Sequence, residues 1–263
     1  MRSLLILVSL ALSATTALAQ EKIAFKVEHK EGGSIDVREC MKMKISGTVQ
    51  GQVLSMKVGK TTEYREKALA IEDGLPVRGE RTYRTHQETV EQAMGSMAPQ
   101  VNEKKNPIVG KPVILARKDG EVQLEAKPEA GDLDEDDLGL GTEDLDALLP
   151  ENPVAVGESW KVGRDKIMRL MGKDTPKVCE AACTLEDVAE KDGSRTARIA
   201  VKLTMKGAMG GGEVSTELTG PFLFDLSASC PRSIALKGTM KMVMAGATIE
   251  GPMEVESTVT RVK

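Results

Sequence analysis

The residues in this chain that could do chemistry are few: four cysteines, two histidines and a dense run of carboxylates. Asp132, Asp134 and Asp136 alternate, and Glu143 falls at the twelfth position counted from Asp132. That is the oxygen-ligand spacing of a calcium-binding loop. The sixth position, where such a loop needs glycine for its sharp turn, is Asp137, and the apolar eighth position is Gly139. The run is therefore expected to be a solvated acidic segment, and no metal site is expected. Cys179 and Cys183 have no histidine nearby and lack the ligand set of a zinc site. Cys40, Cys179, Cys183 and Cys230 are expected as disulfide partners or as inert buried thiols, with three pairings open. Cys179 and Cys183 cannot bridge each other on a regular strand, where four residues span about 13 Å.

Nucleophilic catalysis finds little to work with. His29 belongs to a strand pattern, and His86 follows Thr85 at the start of a helix-like stretch. No Gly-x-Ser-x-Gly elbow precedes a helix, and the glycine run 210–212 is not followed by Lys-Ser/Thr as a phosphate loop requires. Paired carboxylates could cleave glycosides, but aromatic sugar platforms are scarce, aromatics being 2% of the chain. No catalytic residue and no cofactor are expected, and the chain is expected not to be an enzyme.

The elements that must position these residues begin after a leader. Arg2, the apolar run Leu4–Leu12 and Ala17-Leu18-Ala19 have the form of a secretory signal peptide over residues 1–19, which predicts export to the periplasm or beyond. No later run is apolar enough for a transmembrane anchor. Residues 129–151 hold ten acids and no base; the remaining 35 basic and 30 acidic residues of the processed chain leave the body mildly basic. Without a basic stripe interleaved with aromatics, nucleic acid is not an expected partner.

The rest reads as strands. Ile23, Phe25 and Val27 alternate; so do Val37, Met41, Met43 and Ile45, then Leu54, Met56 and Val58. Further strands are expected at about 62–71 and from Pro76 towards Tyr83. Thr85-x-x-Glu88, followed by Val90, Ala93, Met94 and Met97, predicts a short helix at 86–97. Residues 99–110 read as loop, and 113–124 as a hairpin around Lys118-Asp119-Gly120. Brief helices are expected after Thr142 and around Ile167–Met171, and five strands fill the last ninety residues. The fold expected is mostly β: one large curved antiparallel sheet, a half-barrel or open barrel of 10–12 strands, with two or three short helices on its apolar face. Residues 20–263 form a single domain, divided into N-terminal strands (20–127), an acidic connector (128–150) and a tryptophan motif with a C-terminal meander (151–263).

That motif is Pro150-Glu-Asn-Pro-Val-Ala-Val-Gly-Glu-Ser-Trp160. Pro153, Val154, Val156, Gly157 and Trp160 are expected to form a structural anchor, with the only tryptophan buried as its largest member. The stretch resembles one in a family of exported bacterial proteins of unknown function. The strand layout resembles the half-barrel of periplasmic lipoprotein carriers such as LolA, which implies a curved sheet over a lipid cavity. The function expected is non-enzymatic binding of an apolar small molecule or lipid by the sheet. The alternative is an envelope structural or interaction protein with a packed core and an acidic contact segment.

Overall fold

The computed structural model describes residues 21–125, 139–164, 166–167, 177–209, 212–244 and 247–262. The signal-peptide segment and most of the acidic connector, including Asp132, Asp134 and Asp136, lie outside them. The architecture is one open antiparallel sheet of twelve strands. The N-terminal half supplies β1 (Ser34–Val49), β2 (Gln52–Glu72), β3 (Leu75–Met94), β4 (Gln100–Lys105), β5 (Pro112–Lys118) and β6 (Glu121–Leu124). The C-terminal half supplies β7 (Ser159–Val162), β8 (Val178–Lys191), β9 (Ser194–Met209), β10 (Gly212–Asp225), β11 (Cys230–Met244) and β12 (Ala247–Val262). Their order is β6-β5-β3-β2-β1-β12-β11-β10-β9-β8-β7, with β4 pairing β3 beside β5. The first and last long strands therefore meet in the middle, and each half of the chain is a meander running outward from that seam.

Several strands are longer than the sequence pattern suggested. The two apolar runs at 54–58 and 62–71 are one 21-residue strand, β2, spanning roughly 70 Å at the usual rise per residue. The helix expected at 86–97 does not form: residues 85–94 continue β3, paired to β2 on one side and β4 on the other. Val90 and Met94 are four residues apart, which satisfies both the helical and the strand period. The two ladders then satisfy the backbone groups that a helix would have satisfied internally. Thr85, read as a helix cap, instead directs its hydroxyl to Glu63 across the strand pair. Part of the expected 99–110 loop is β4. Ile23, Phe25 and Val27 alternate in burial as expected, but they lie over the sheet, joined to Val154 by one isolated bridge at Ile23. The named helix is α1 (Glu143–Asp146), after Thr142 as expected; the 167–171 segment lies mostly outside the described residues.

One face of the sheet gathers the apolar side chains into two clusters, with Lys60, Glu88 and Gln92 among the inward positions between and beside them. In the proximal part, Val37, Tyr64, Tyr83, Ile199, Val201, Phe222, Phe224, Leu236 and Val259 pack against the overlying Ile23, Leu140, Leu145, Leu148, Leu149, Val154 and Ile167. In the distal part, Ile45, Met240, Met242 and Ile249 pack with Met43, Leu54, Met56, Val214, Met244 and Met253, all from strands.

A diagonal of glycines marks the distal cluster. Gly47 pairs with Ile249, two residues from Gly251; Gly238 pairs with Met253, two residues on the other side of Gly251; and Leu218, opposite Gly238, is two residues from Gly220. All four lie on the apolar face. A Cβ on Gly220, Gly238 or Gly251 would sit 1.8–1.9 Å from a carbonyl oxygen of the neighbouring strand, and one on Gly47 at 2.2 Å. No side chain fits there, so four adjacent strands bend sharply towards their apolar side along one crease. The crease brings β1 and β11 together across β12. It buries Ile45 to 1% exposure, with strand residues alone in its cluster among the described residues.

Gly238→Ala should therefore destabilise by about 1–3 kcal/mol or more, as overpacking does. Gly59→Ala, where an added Cβ meets nothing within 4 Å, should stay within about 0.5 kcal/mol of the parent. Urea unfolding of the two variants checks the crease; equal midpoints would refute it.

Candidate functional site

The segment 139–149 is strapped to the proximal face by a buried ion pair. Arg81 of β3 and Glu66 of β2 are cross-strand partners, with side chains 4% and 2% exposed. Arg81 donates from Nε and Nη2 to Glu66 Oε2 at 2.9 and 2.6 Å, and from Nη1 to the Tyr83 hydroxyl at 3.1 Å. Its guanidinium stacks 4.0 Å from the centre of the Tyr64 ring. Both ions then reach up to the strap. Arg81 Nη2 donates to the Gly139 carbonyl at 2.5 Å, and the Gly141 amide donates to Glu66 Oε1 at 2.6 Å.

Further polar contacts hold the rest of the strap. Glu143 pairs with Arg117 of β5, and the Thr142 hydroxyl donates to Asp146 at 2.9 Å. His29 Nε2 lies 3.6 Å from Asp146 Oδ2. Burial holds the Glu143 carboxyl above its ordinary range against the pull of Arg117, and the Asp146 carboxyl above its own against His29 and Thr142.

The tryptophan motif joins the end of this strap to the sheet edge. Trp160, half-buried in β7, donates from Nε1 to the Leu148 carbonyl at 2.9 Å and packs 6.5 Å from Phe25. Val154 is buried and exchanges backbone hydrogen bonds with Ile23. Gly157 takes φ +89°, a left-handed turn that a side chain would strain. Its amide and the Glu158 carbonyl bond to Leu185 of β8. Val156 is half-buried against the core and Pro153 is exposed. The motif ties the N-terminal segment, the strap and β8 at one point.

A polar row crosses the apolar face just distal to the strap. Ser257, Glu39, Thr62 and His86 are successive cross-strand partners on β12, β1, β2 and β3. Thr62 and His86 are 3% and 7% exposed, with 3.3 Å between hydroxyl and Nδ1, whereas Glu39 is exposed. Beyond the row, Met41, Met43, Met56, Val58, Val90, Met253 and Val255 remain only half-buried. The same strands that carry Ile35, Val37, Ile234, Leu236 and Val259 beneath the strap carry methionine here.

Neither the ion pair nor the polar row was picked out from the sequence. Glu66 and Arg81 are fifteen residues apart, on either side of a hairpin whose register sequence alone leaves open. The signal available was their placement among apolar alternations, where a charge at an inward position needs a partner. Enclosed space is small: about 40 Å³ beside the Arg81 cluster, and about 160 Å³ between the N-terminal segment and β12. Among the described residues, no group of three or more His, Cys, Asp or Glu could hold a metal, and no helix is long and apolar enough to cross a membrane.

All four cysteines are free thiols in the structure, with Cys179, Cys183 and Cys230 buried, the second of the two expected alternatives. Cys179 and Cys183 both lie on the regular strand β8, the geometry that keeps them apart.

No protein-family model and no curated protein matches the chain. Among solved structures it is similar to lipovitellin, from a structure concerned with lipid–protein interactions in that protein. The TM-score is 0.46 and the identity 9%, over 90% of this chain and 26% of that one. The chain spans about a quarter of the length of the lipovitellin chain.

Replacing Arg81 by Met alone, or Glu66 by Gln alone, should cost about 3–5 kcal/mol, because each leaves a buried partner uncompensated. The pair changed together should lose less than the sum, as a double-mutant cycle in urea will measure. Thiol alkylation provides a second check. Burial pushes the Cys183 thiol up to about 12, so Cys40 should react first in the native protein and Cys183 last, with all four reacting after denaturation. Fewer than four under denaturing, non-reducing conditions would restore the disulfide expectation.

Proposed function

We propose that this chain is a binding protein, and that it takes a flexible apolar or amphiphilic molecule, such as a lipid, on the methionine-lined distal half of the sheet's apolar face. One observation carries the reading. The proximal half of that face is covered by the strap and the N-terminal segment, while among the described residues the distal cluster is built from strand residues alone and its β1–β3 side is half-exposed. Methionine has three rotatable bonds and a polarisable sulfur, so a surface of methionines can reshape around a chain of variable form. At the proximal end of this trough the exposed Glu39 carboxylate offers a hydrogen-bond acceptor to a head group. The reading is non-enzymatic: the Thr62–His86 pair, the nearest approach to an activated hydroxyl, is sealed from any substrate. Export through the leader would place the protein where such a ligand is carried or stored.

A second reading has its own support. The proximal core is filled, and its enclosed spaces are too small for a lipid. If the distal trough takes no ligand, the protein is an envelope interaction protein, its sheet a rigid platform and its acidic connector the contact segment.

Native mass spectrometry of the full chain, purified without detergent and then offered phospholipid, separates the two. Adducts of lipid mass should survive gentle ionisation and vanish on denaturation. Val58→Glu, which puts a charge in the trough, should reduce their occupancy roughly tenfold or more while the circular dichroism is unchanged. A clean apo mass after exposure to lipid would sink the binding reading.

A further inference from the structure

The distal face also assembles a set of soft donors. Met43 and Met253 are direct cross-strand partners on β1 and β12, so their Cβ atoms stand about 4.5–5.5 Å apart. On the next strand Met240 pairs with Gly251, and Gly238 pairs with Met253. Met240 and Met253 are thus diagonal neighbours across two positions that have no side chain, and where none fits. The backbone of the neighbouring strands closes over these two positions, and the crease tilts β11 and β1 towards each other there. The three side chains belong to one packed cluster, with Met240 8% exposed and Met43 and Met253 half-exposed on the open side.

Packing alone does not account for this choice of residue. Strand faces favour β-branched and aromatic side chains, and these same strands use them in their proximal halves. On β1, β11 and β12 the inward methionines (Met41, Met43, Met240, Met242, Met244 and Met253) all lie on the distal side. Thioether sulfurs in an apolar setting bind soft monovalent cations and discriminate against hard ones, which need charged oxygens.

From this geometry we propose a soft-metal site in which the sulfurs of Met43, Met240 and Met253 coordinate one copper(I)-class cation at the glycine crease. No oxidation or reduction of the protein is involved; the ion enters as M⁺ and is held by three neutral lone-pair donors. The open trough beside Met43 is its route in. The site is independent of whether the trough takes a lipid.

Silver(I) is the redox-inert probe, added to full chain labelled with ¹³C at the methionine methyls, in a Cys40→Ser background with no thiol reductant. The expected result is saturable movement of the Met43, Met240 and Met253 methyl resonances with one equivalent, ahead of the other methionines. Leucine at the three positions preserves volume and apolarity, so Met43→Leu/Met240→Leu/Met253→Leu should keep the fold by circular dichroism yet weaken silver binding at least tenfold. The same shifts in protein whose native mass carries no lipid adduct separate this site from the lipid reading. The proposal is overturned if the methyls do not move with silver. It is equally overturned if they move only as the buried cysteines are consumed, or if the leucine variant binds as tightly as the parent.

Discussion

The arrangement over the sheet depends on one buried ion pair. Arg81 and Glu66 face the apolar side of a sheet whose neighbouring inward positions are tyrosine, valine and leucine. Taking both ions out of water is expensive, and their attraction offsets that only when every remaining donor and acceptor is used. Here they are used. Glu66 spends one oxygen on Arg81 and the other on the Gly141 amide, while Arg81 divides its donors among Glu66, Tyr83 and the Gly139 carbonyl. The pair is satisfied only with the strap in place. Lifting the strap would leave both ions with open valences over an apolar face, which gives residues 139–141 one seat and no alternatives. An all-apolar contact of the same area would hold the strap without fixing its register.

The sheet itself is governed by a different constraint, the absence of side chains along the glycine diagonal. Strong local coiling is how four long strands bury Ile45 and Ile249 with strand residues alone among the described residues. The sheet thus solves its burial problem twice: proximally by recruiting the N-terminal segment and the strap, distally by folding on itself. The polar row Ser257–Glu39–Thr62–His86 lies at the boundary between the two. Beyond that boundary methionines join the branched side chains, the aromatics end and exposure rises. A face roughly seventy ångströms long is in this way partitioned into a rigid part and an adaptable part.

Much of the sheet was legible in the alternation of residues, and the reasons for the exceptions are specific. The runs from Ala197 to Met205 and from Ile234 to Met244 have one apolar face each, and both are strands. Residues 86–97 misled because Val90 and Met94 fit two periods and Thr85-x-x-Glu88 imitates a cap; two neighbouring ladders outweighed the local signal. Ile23–Val27 showed correct alternation but not its setting, since a segment lying across a sheet buries every second residue just as a segment within it does. The glycines at 47, 220, 238 and 251 stand among apolar residues of four strands, and only the register aligns them into a crease. The Trp160 motif was visible as a unit because its parts are adjacent in sequence. The Arg81 cluster was not, because its parts converge only through the β2–β3 register and the return of the chain at Gly139.

The two halves of the face bear differently on ligand binding. Beneath the strap, packing is dense and Arg81 and Glu66 satisfy each other and the strap backbone, so entry of a ligand would require releasing Arg81 and Glu66 at the full cost of exposing a broken buried pair. That barrier argues for a permanent cover, with the strap acting as part of the core. In the distal half no such cost stands in the way: Met41, Met43, Val58 and Val90 are already half-exposed, and their rearrangement breaks no hydrogen bond. Any molecule that this sheet accommodates should therefore enter from the distal end and stop at the polar row, its apolar part among the methionines and its polar end against Glu39.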